Sequence, residues 1–221
     1  MKKLICYSLW GDNPKYTIGA IKNAQDIKTV YGEDWTARFY CGTSVPNEII
    51  LSLKKESAEV VMMEEAGNWS GMFWRFTAIT EPDVEVMLSR DTDSRLTLRE
   101  KAAVDDWLAS GKLFHVMRDH PEHNTTILGG MWGARKPILQ DIKHILEWYH
   151  DTNGNYWQVD QKFLHNQIWP RIAYSVKIHD EFFEKKPFPT KRNGYEFVGQ
   201  VWDENEATVQ EHIELLARAL K

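Results

Sequence analysis

The chain has only two cysteines in 221 residues, Cys6 and Cys41, which leaves no disulfide framework and no cysteine-based zinc site. Both fall in expected strands and are expected to be reduced core thiols. No apolar run approaches the ~20 residues that a membrane-spanning helix needs. The N-terminal run from Lys2 to Leu9 is too short for a signal-peptide core and has no small-residue cleavage site, so a soluble cytoplasmic protein is expected. Lysines and arginines are scattered rather than gathered into a stripe, and the net charge is −5. Nucleic acid is therefore disfavoured as a partner. No repeat is visible and no Gly-, Ser- or Pro-rich linker divides the sequence. With 43% hydrophobic residues, one domain over residues 1–221 is expected to build one sizeable core.

Against these absences, ten tryptophans stand out. Aromatic faces with a polar edge suit sugars and nucleobases, but most such rings anchor cores, and the count alone decides nothing. The order of elements is more informative. Lys3–Leu9 reads as a strand; Asn13-Pro14 then offers a helix cap with proline at the first helical position, and Gly32 stops the helix. Thr36–Cys41 and Glu59–Met63 read as strands around a helix starting near Pro46, which makes a βαβαβ half with right-handed crossovers. A helix over Gly71–Ile79 and a strand over Val84–Leu88 follow. Thr97 and Glu100 have capping-box spacing for a helix that Gly111 ends, and Lys112–Met117 is another strand. Further helices are expected over Pro137–His150 and Tyr156–Ile168, with a strand over Val176–His179 and then an aromatic tail. The fold class is α/β: a Rossmann-like, doubly wound, mostly parallel sheet flanked by helices.

The chemistry concentrates where the alternation Val84, Val86, Leu88 runs into Asp91-Thr92-Asp93. Hard divalent cations take oxygen ligands and keep positions open for phosphates, so two carboxylates at a strand's C-terminal end suit Mn²⁺ or Mg²⁺ bound against a diphosphate. Open α/β sheets place their ligands at that end. A bare Asp-x-Asp is more often a solvated turn, and the strand leading into it is what raises its interest.

The run Phe73-Trp74-Arg75-Phe76, then Val84–Leu88, then Asp91-Thr92-Asp93 resembles the metal-binding core of the GT-A-fold glycosyltransferases. Gly129-Gly130-Met131-Trp132-Gly133 resembles their donor-sugar loop. Asp160-Gln161 resembles the Asp-Gln pair of the retaining, glycogenin-like and galactosyltransferase-like branch, and His179 stands where that branch places a third metal ligand. In length and style the chain is also similar to the small sugar-transferring domains of large DNA viruses. It departs from the retaining branch at Arg90, Ser94 and Arg95, where apolar residues are usual, and at Gly129-Gly130.

The resemblance implies a metal-dependent enzyme moving a hexose from a UDP-sugar, UDP-glucose or similar, to a hydroxyl of a glycan or glycoconjugate acceptor. It implies metal ligands at Asp91, Asp93 and His179, with Arg75 as a fixed cation for the diphosphate. It implies a uridine site at the loop from Leu9, with Trp10 or Tyr16 stacking on the base, and close approach of the sugar to Gly129 and Gly130. Asp160 and Gln161 would serve a retaining displacement. An inverting one would need a base, and Asp119 or His120 are the candidates. His120 and His123 are a poor zinc pair without a third ligand. Two rivals stand beside this reading. One is a sugar-nucleotide pyrophosphorylase, which normally has a glycine-rich basic loop after the first strand, where this chain has only Gly11. The other is a non-catalytic carbohydrate-binding or assembly module on the same fold. Asp203, Glu204 and Glu206 are expected to be a solvated helix start.

Overall fold

The computed structural model describes residues 1–221, the side chains of 150–153 excepted. Strand β1 (Lys2–Leu9) sends Leu4 and Cys6 to one face of the sheet and Ile5, Tyr7 and Leu9 to the other. A strand buried on both faces must be apolar nearly throughout, which explains its continuous hydrophobic run. Helix α1 (Pro14–Tyr31) starts as its cap residues dictate: Asn13 Oδ1 accepts the amide N–H of Lys15 at 3.0 Å, and Gly32 ends it at φ 87°. Strand β2 (Trp35–Cys41), helix α2 (Asn47–Lys55) and strand β3 (Glu59–Met62) complete the first half.

A 3₁₀ helix, Trp69–Thr80, then crosses to β4 (Val84–Ser89). Runs of this tight helix are usually only three or four residues long. Here packing holds twelve, since Phe73, Trp74, Phe76, Ala78 and Ile79 are all buried. Helix α3 (Leu98–Ala109) is capped by Thr97 Oγ1, which accepts the Glu100 amide at 3.1 Å. The capping box is only half made: Glu100 turns inward instead and takes the Tyr31 hydroxyl at 2.5 Å and Arg90 Nε at 2.7 Å.

The second half contains β5 (Phe114–Arg118), β6 (Trp132–Arg135), α4 (Ile142–Asn153) and α5 (Val159–Phe163). A π turn, Leu164–Ile168, joins α5 to α6 (Trp169–Ile172), and β7 (Val176–Asp180) and α7 (Gln210–Ala219) follow. The sequence pattern misses β6, whose four residues Trp-Gly-Ala-Arg carry little strand signal, and it places the start of the last helix at Asp203 to Glu206, a turn ahead of α7. It also starts α4 early, runs α5 and the π turn together as one helix over Tyr156–Ile168, and leaves out α6.

The sheet order is β3-β2-β1-β4-β6-β5-β7. Only β6 is antiparallel to its neighbours, β4 and β5. One core, with Leu53, Trp107 and Ile27, lies under α1, α2 and α3; the other, with Phe73, Ile142 and Phe163, lies under the 3₁₀ helix, α4 and α5. Each fully buried Phe or Leu contributes roughly 1.5–3 kcal/mol. Cys6 and Cys41 are buried free thiols, and burial pushes both up to about 12. Among the described residues no helix is long and apolar enough to cross a membrane. Strand order reverses between β1 and β4, so the C-terminal ends of these two strands open a crevice there.

Candidate active site

That crevice is a cleft of about 660 Å³, within the ~300–1,000 Å³ usual for small-molecule sites. The loop after β1 lines it with Leu9, Trp10, Gly11 and Asp12. The loop after β4 brings Asp91 and Asp93, the 3₁₀ helix brings Arg75, and α5 brings Asp160 and Gln161. Gly129 and Tyr16 border it as well. Residues scattered over much of the chain are thus drawn to one place by sheet topology.

Arg75 organises the centre. Its Nη1 donates to the Arg90 carbonyl at 2.6 Å and pairs with Asp91 Oδ1 at 2.5 Å, while Nη2 stands 3.7 Å from Asp160 Oδ2. The guanidinium is buried, and its Nε has no hydrogen-bond partner. Asp93 Oδ2 pairs with Lys15 Nζ from α1 at 2.8 Å. Burial, and then the negative charge of Asp91, push the Asp93 carboxyl above its ordinary range. Asp160 is pushed up to about 6, chiefly by burial; Arg75 opposes the shift and Asp91 adds to it. Asp12, Asp91, Asp93 and Asp160 make four carboxylates on the cleft wall, against the Arg75 guanidinium and the Lys15 ammonium paired with Asp93.

Two glycines allow this crowding. A Cβ on Gly129 would overlap Oδ2 of Asp160, and one on Gly130 would overlap Oδ2 of Asp91. They make room for carboxylates. The expected role, close approach to a sugar, is a separate matter that this packing does not require.

The residues that hold the Asp-x-Asp loop are absent from the sequence reading. Buried Asn23 on α1 donates from Nδ2 to the carbonyls of Thr92 at 3.3 Å and Ser94 at 2.8 Å. Gly19, one turn earlier, lies where any Cβ would strike the Thr92 carbonyl. A mid-helix glycine, costing ~1 kcal/mol against alanine, is a signal of such packing. The C-terminal segment is also part of the wall: Gly199 and Val201 line the cleft, Val201 bridges Ser94, and the Trp202 amide donates to the Asp93 carbonyl at 2.8 Å. His123 lines it too. Its Nδ1 accepts the Asp119 amide at 3.0 Å, which leaves the proton on Nε2, and burial holds the ring neutral by pushing it down to about 3.

Three expected residues lie elsewhere. His179 is in β7, beyond β6 and β5 from β4, and is 2% exposed. Three strand spacings of ~4.8 Å separate its strand from the aspartates'. Both its ring nitrogens are engaged, with His115 Nε2 at 2.8 Å and Asp106 Oδ2 at 3.0 Å, so it is no third ligand to a metal at Asp91 and Asp93. Asp119 is wholly buried between Arg99, at 2.9 Å, and Arg192, at 2.6 Å, and also accepts the Val198 amide at 2.9 Å. His120 is buried against Phe197, with Nε2 on the His212 carbonyl at 2.8 Å and Nδ1 accepting the Glu122 amide at 3.1 Å. Neither borders the cleft, and neither has a free lone pair to serve as base there. Arg90 and Arg95 are likewise structural, paired with Glu100 and Glu206 at 2.7 Å each. Glu206 is thus an ion-pair partner in a turn ahead of α7.

Among the described residues no three His, Cys, Asp or Glu side chains gather into a protein-only metal site. The donor set nevertheless suits Mg²⁺ or Mn²⁺, which are commonly held by one or two carboxylates completed by substrate phosphates and water. A cleft with this acid excess would repel a diphosphate unless a cation came with it.

No family model matches the sequence, and no curated protein matches it. Solved structures do match. One is a glycosyltransferase involved in glycosylating the major capsid of PBCV-1, with TM-score 0.56 and 14% identity over 99% of this chain and 100% of that one. The fold is GT-A-like. Glucosyl-3-phosphoglycerate synthase of Mycobacterium tuberculosis, in complex with Mn²⁺, UDP-glucose and glycerol 3-phosphate, matches with TM-score 0.51 and 14% identity over 87% and 72%. The 4-diphosphocytidyl-2C-methyl-D-erythritol synthase of Anaerococcus prevotii matches with TM-score 0.52 and 12% identity over 100% and 99%. Within this GT-A-like fold, shared by sugar transferases and nucleotidyltransferases, the loop after β1 carries Asp12 and a single glycine, Gly11, ahead of the α1 cap.

Proposed function

We propose that this protein is a metal-dependent glycosyltransferase that moves a hexose from a UDP-sugar to a hydroxyl of a glycan or glycoconjugate, with retention. The observation that carries the proposal is the cleft at the β1/β4 switch point, whose wall carries four carboxylates, Asp91 and Asp93 among them, against the cations of Arg75 and Lys15. An anionic nucleotide-sugar fits there only together with a cation. The Mn²⁺- and UDP-glucose-bound synthase on the same fold supports that assignment.

In this scheme Asp91 and Asp93 hold Mn²⁺ or Mg²⁺, which when bound supplies charge neutralisation for the leaving diphosphate. Arg75 adds a fixed positive charge beside it. Trp10 or Tyr16 covers the uracil, and the backbone from Leu9 borders it. Asp160 holds the donor-sugar hydroxyls, and Gln161 lies near the anomeric carbon. The bond from C1 to the β-phosphate oxygen breaks, the acceptor oxygen bonds to C1 on the same face, and the departing diphosphate takes the acceptor proton. Retention rests on Asp160 and Gln161, because His179 lies elsewhere.

A nucleotidyltransferase is the weaker reading. It has a neighbour on the same fold, but the loop after β1 here is acidic and lacks a glycine-rich phosphate cradle. A thermal-shift screen of UDP-, GDP-, dTDP- and CMP-sugars with and without Mn²⁺ tests the proposal. UDP-glucose with metal is expected to stabilise by ~2.7 kcal/mol at a hundredfold excess over Kd, and Asp91→Asn/Asp93→Asn to abolish the shift. No shift with any donor would leave a non-catalytic module on the fold.

A further inference from the structure

A second cavity, of about 460 Å³, adjoins the cleft and shares Gln158 and Gln161 with it. Its walls come from α5 and the π turn on one side and from Asn124, Thr125 and Thr126 on the other. Four side-chain amides, those of Asn124, Gln158, Gln161 and Asn166, meet there, and among the described residues none has an intramolecular hydrogen-bond partner. An amide both donates and accepts, which matches a sugar hydroxyl, itself donor and acceptor.

The wall carries no carboxylate, and its two basic side chains are already engaged. Lys162 Nζ lies 4.8 Å from the centre of the Tyr156 ring, and His165 Nδ1 bonds Thr126 Oγ1 at 2.7 Å. At the corner between the two cavities, Gln158 is held at φ 65°, a left-handed conformation uncommon for a non-glycine residue. Trp157, the residue before it, lines the cleft yet is 66% exposed, an aromatic face next in the chain to the annex wall. Burying that face against the C–H side of a sugar ring would recover the hydrophobic stabilisation that its exposure forgoes.

We propose that this annex binds a neutral oligosaccharide, the acceptor chain of the reaction. The proposal rests on the glycosyltransferase reading for its purpose, and on the cavity's own chemistry for its ligand class. The terminal sugar lies at Gln161 with its free hydroxyl toward the cleft. The following units run over Trp157 and Gln158 toward Asn166. The enzyme therefore extends a glycan rather than a small phosphorylated acid.

Saturation-transfer NMR tests this with maltotriose, cellotriose and mannotriose as probes, and with 3-phosphoglycerate and UDP plus Mn²⁺ in parallel. At least one trisaccharide is expected to receive transfer. Asn124→Ala/Asn166→Ala, both at exposed positions, should weaken it about tenfold, the effect of two lost hydrogen bonds. Trp157→Ala should also weaken it, and Lys54→Ala on α2 should leave it unchanged. Transfer to no trisaccharide overturns the proposal, as does transfer that the double variant leaves intact. Binding of 3-phosphoglycerate alone, lost in Lys162→Ala, overturns it in favour of a small anionic acceptor. Trisaccharide binding without any UDP binding would instead sink the glycosyltransferase reading and leave the annex standing.

Discussion

Gly130 is packed against Asp91 so closely that a Cβ added to it would overlap the carboxylate and stand 2.9 Å from the Asp91 backbone nitrogen. Gly130 thereby fixes where Oδ2 of Asp91 can point. Gly130→Ala must displace that carboxylate or the strand end that carries it. A misplacement of about 1 Å near reacting groups costs on the order of a hundredfold. The expected outcome is a fall of that size in kcat/KM for sugar transfer, with a raised Mn²⁺ requirement, measured by UDP release across a metal titration. Unchanged metal dependence would argue against a role for Asp91 in holding the ion.

Asp119 lies between two guanidiniums, and this fixes its role as structural. Asp119→Ala leaves Arg99 and Arg192 without their shared buried counter-charge, and breaking such a pair costs about 3–5 kcal/mol. For a protein of this size that is a fall in Tm of roughly 10 °C. The turnover of the fraction that remains folded should stay near wild type. A collapse in kcat at unchanged Tm would instead restore Asp119 as a base.

Asn23→Ala removes the side chain that ties α1 to the Thr92 and Ser94 carbonyls. Leaving those acceptors unpaired costs about 1–3 kcal/mol. Because the tie holds the loop between Asp91 and Asp93, Mn²⁺ affinity should fall together with stability. Calorimetric metal titration and thermal denaturation of the same variant check the pairing.

Asp160 makes metal-free protein less stable as pH rises. Its carboxyl is pushed from an ordinary 3.8 up to about 6, chiefly by burial, so the folded state holds the proton more tightly than the unfolded chain. Stability from this group is full below about 4, falls as pH rises to about 6, and stays lower above that, by about 3 kcal/mol. Asp160→Asn should flatten the profile and make the metal-free protein at pH 8 more stable, while abolishing transfer. Denaturant titrations at pH 4.5 and pH 8 in a chelator measure the difference. A wild-type protein that gains stability across that interval through Asp160 would contradict the burial argument.

Much of the fold is legible because its signals are local. The Asn13-Pro14 cap, the stop at Gly32, the Thr97 cap and the doubly buried β1 each follow from adjacent residues. The 3₁₀ geometry of Trp69–Thr80 is not legible, because an apolar run buried on nearly every side shows no period to distinguish it from an α-helix. The antiparallel β6 is hidden for a similar reason, its short strand being stabilised by neighbours from Leu88 to Val116.

The site divides along the same line. By itself the sequence determined that a strand leads into Asp91-Thr92-Asp93, that an arginine-bearing helix precedes it, and that Asp160-Gln161 lie on a later helix. These are facts of order and spacing. Only the tertiary structure decided that His179 and Asp119 are occupied elsewhere, because their partners Asp106 and Arg192 each lie 73 residues away. It also decided that Gly19, Asn23, Gly129 and Gly130 shape the carboxylate cluster, through close packing between α1, β4 and the loop before β6. A carboxylate's or imidazole's role depends on whether its lone pairs are free, and long-range packing is what commits or releases them.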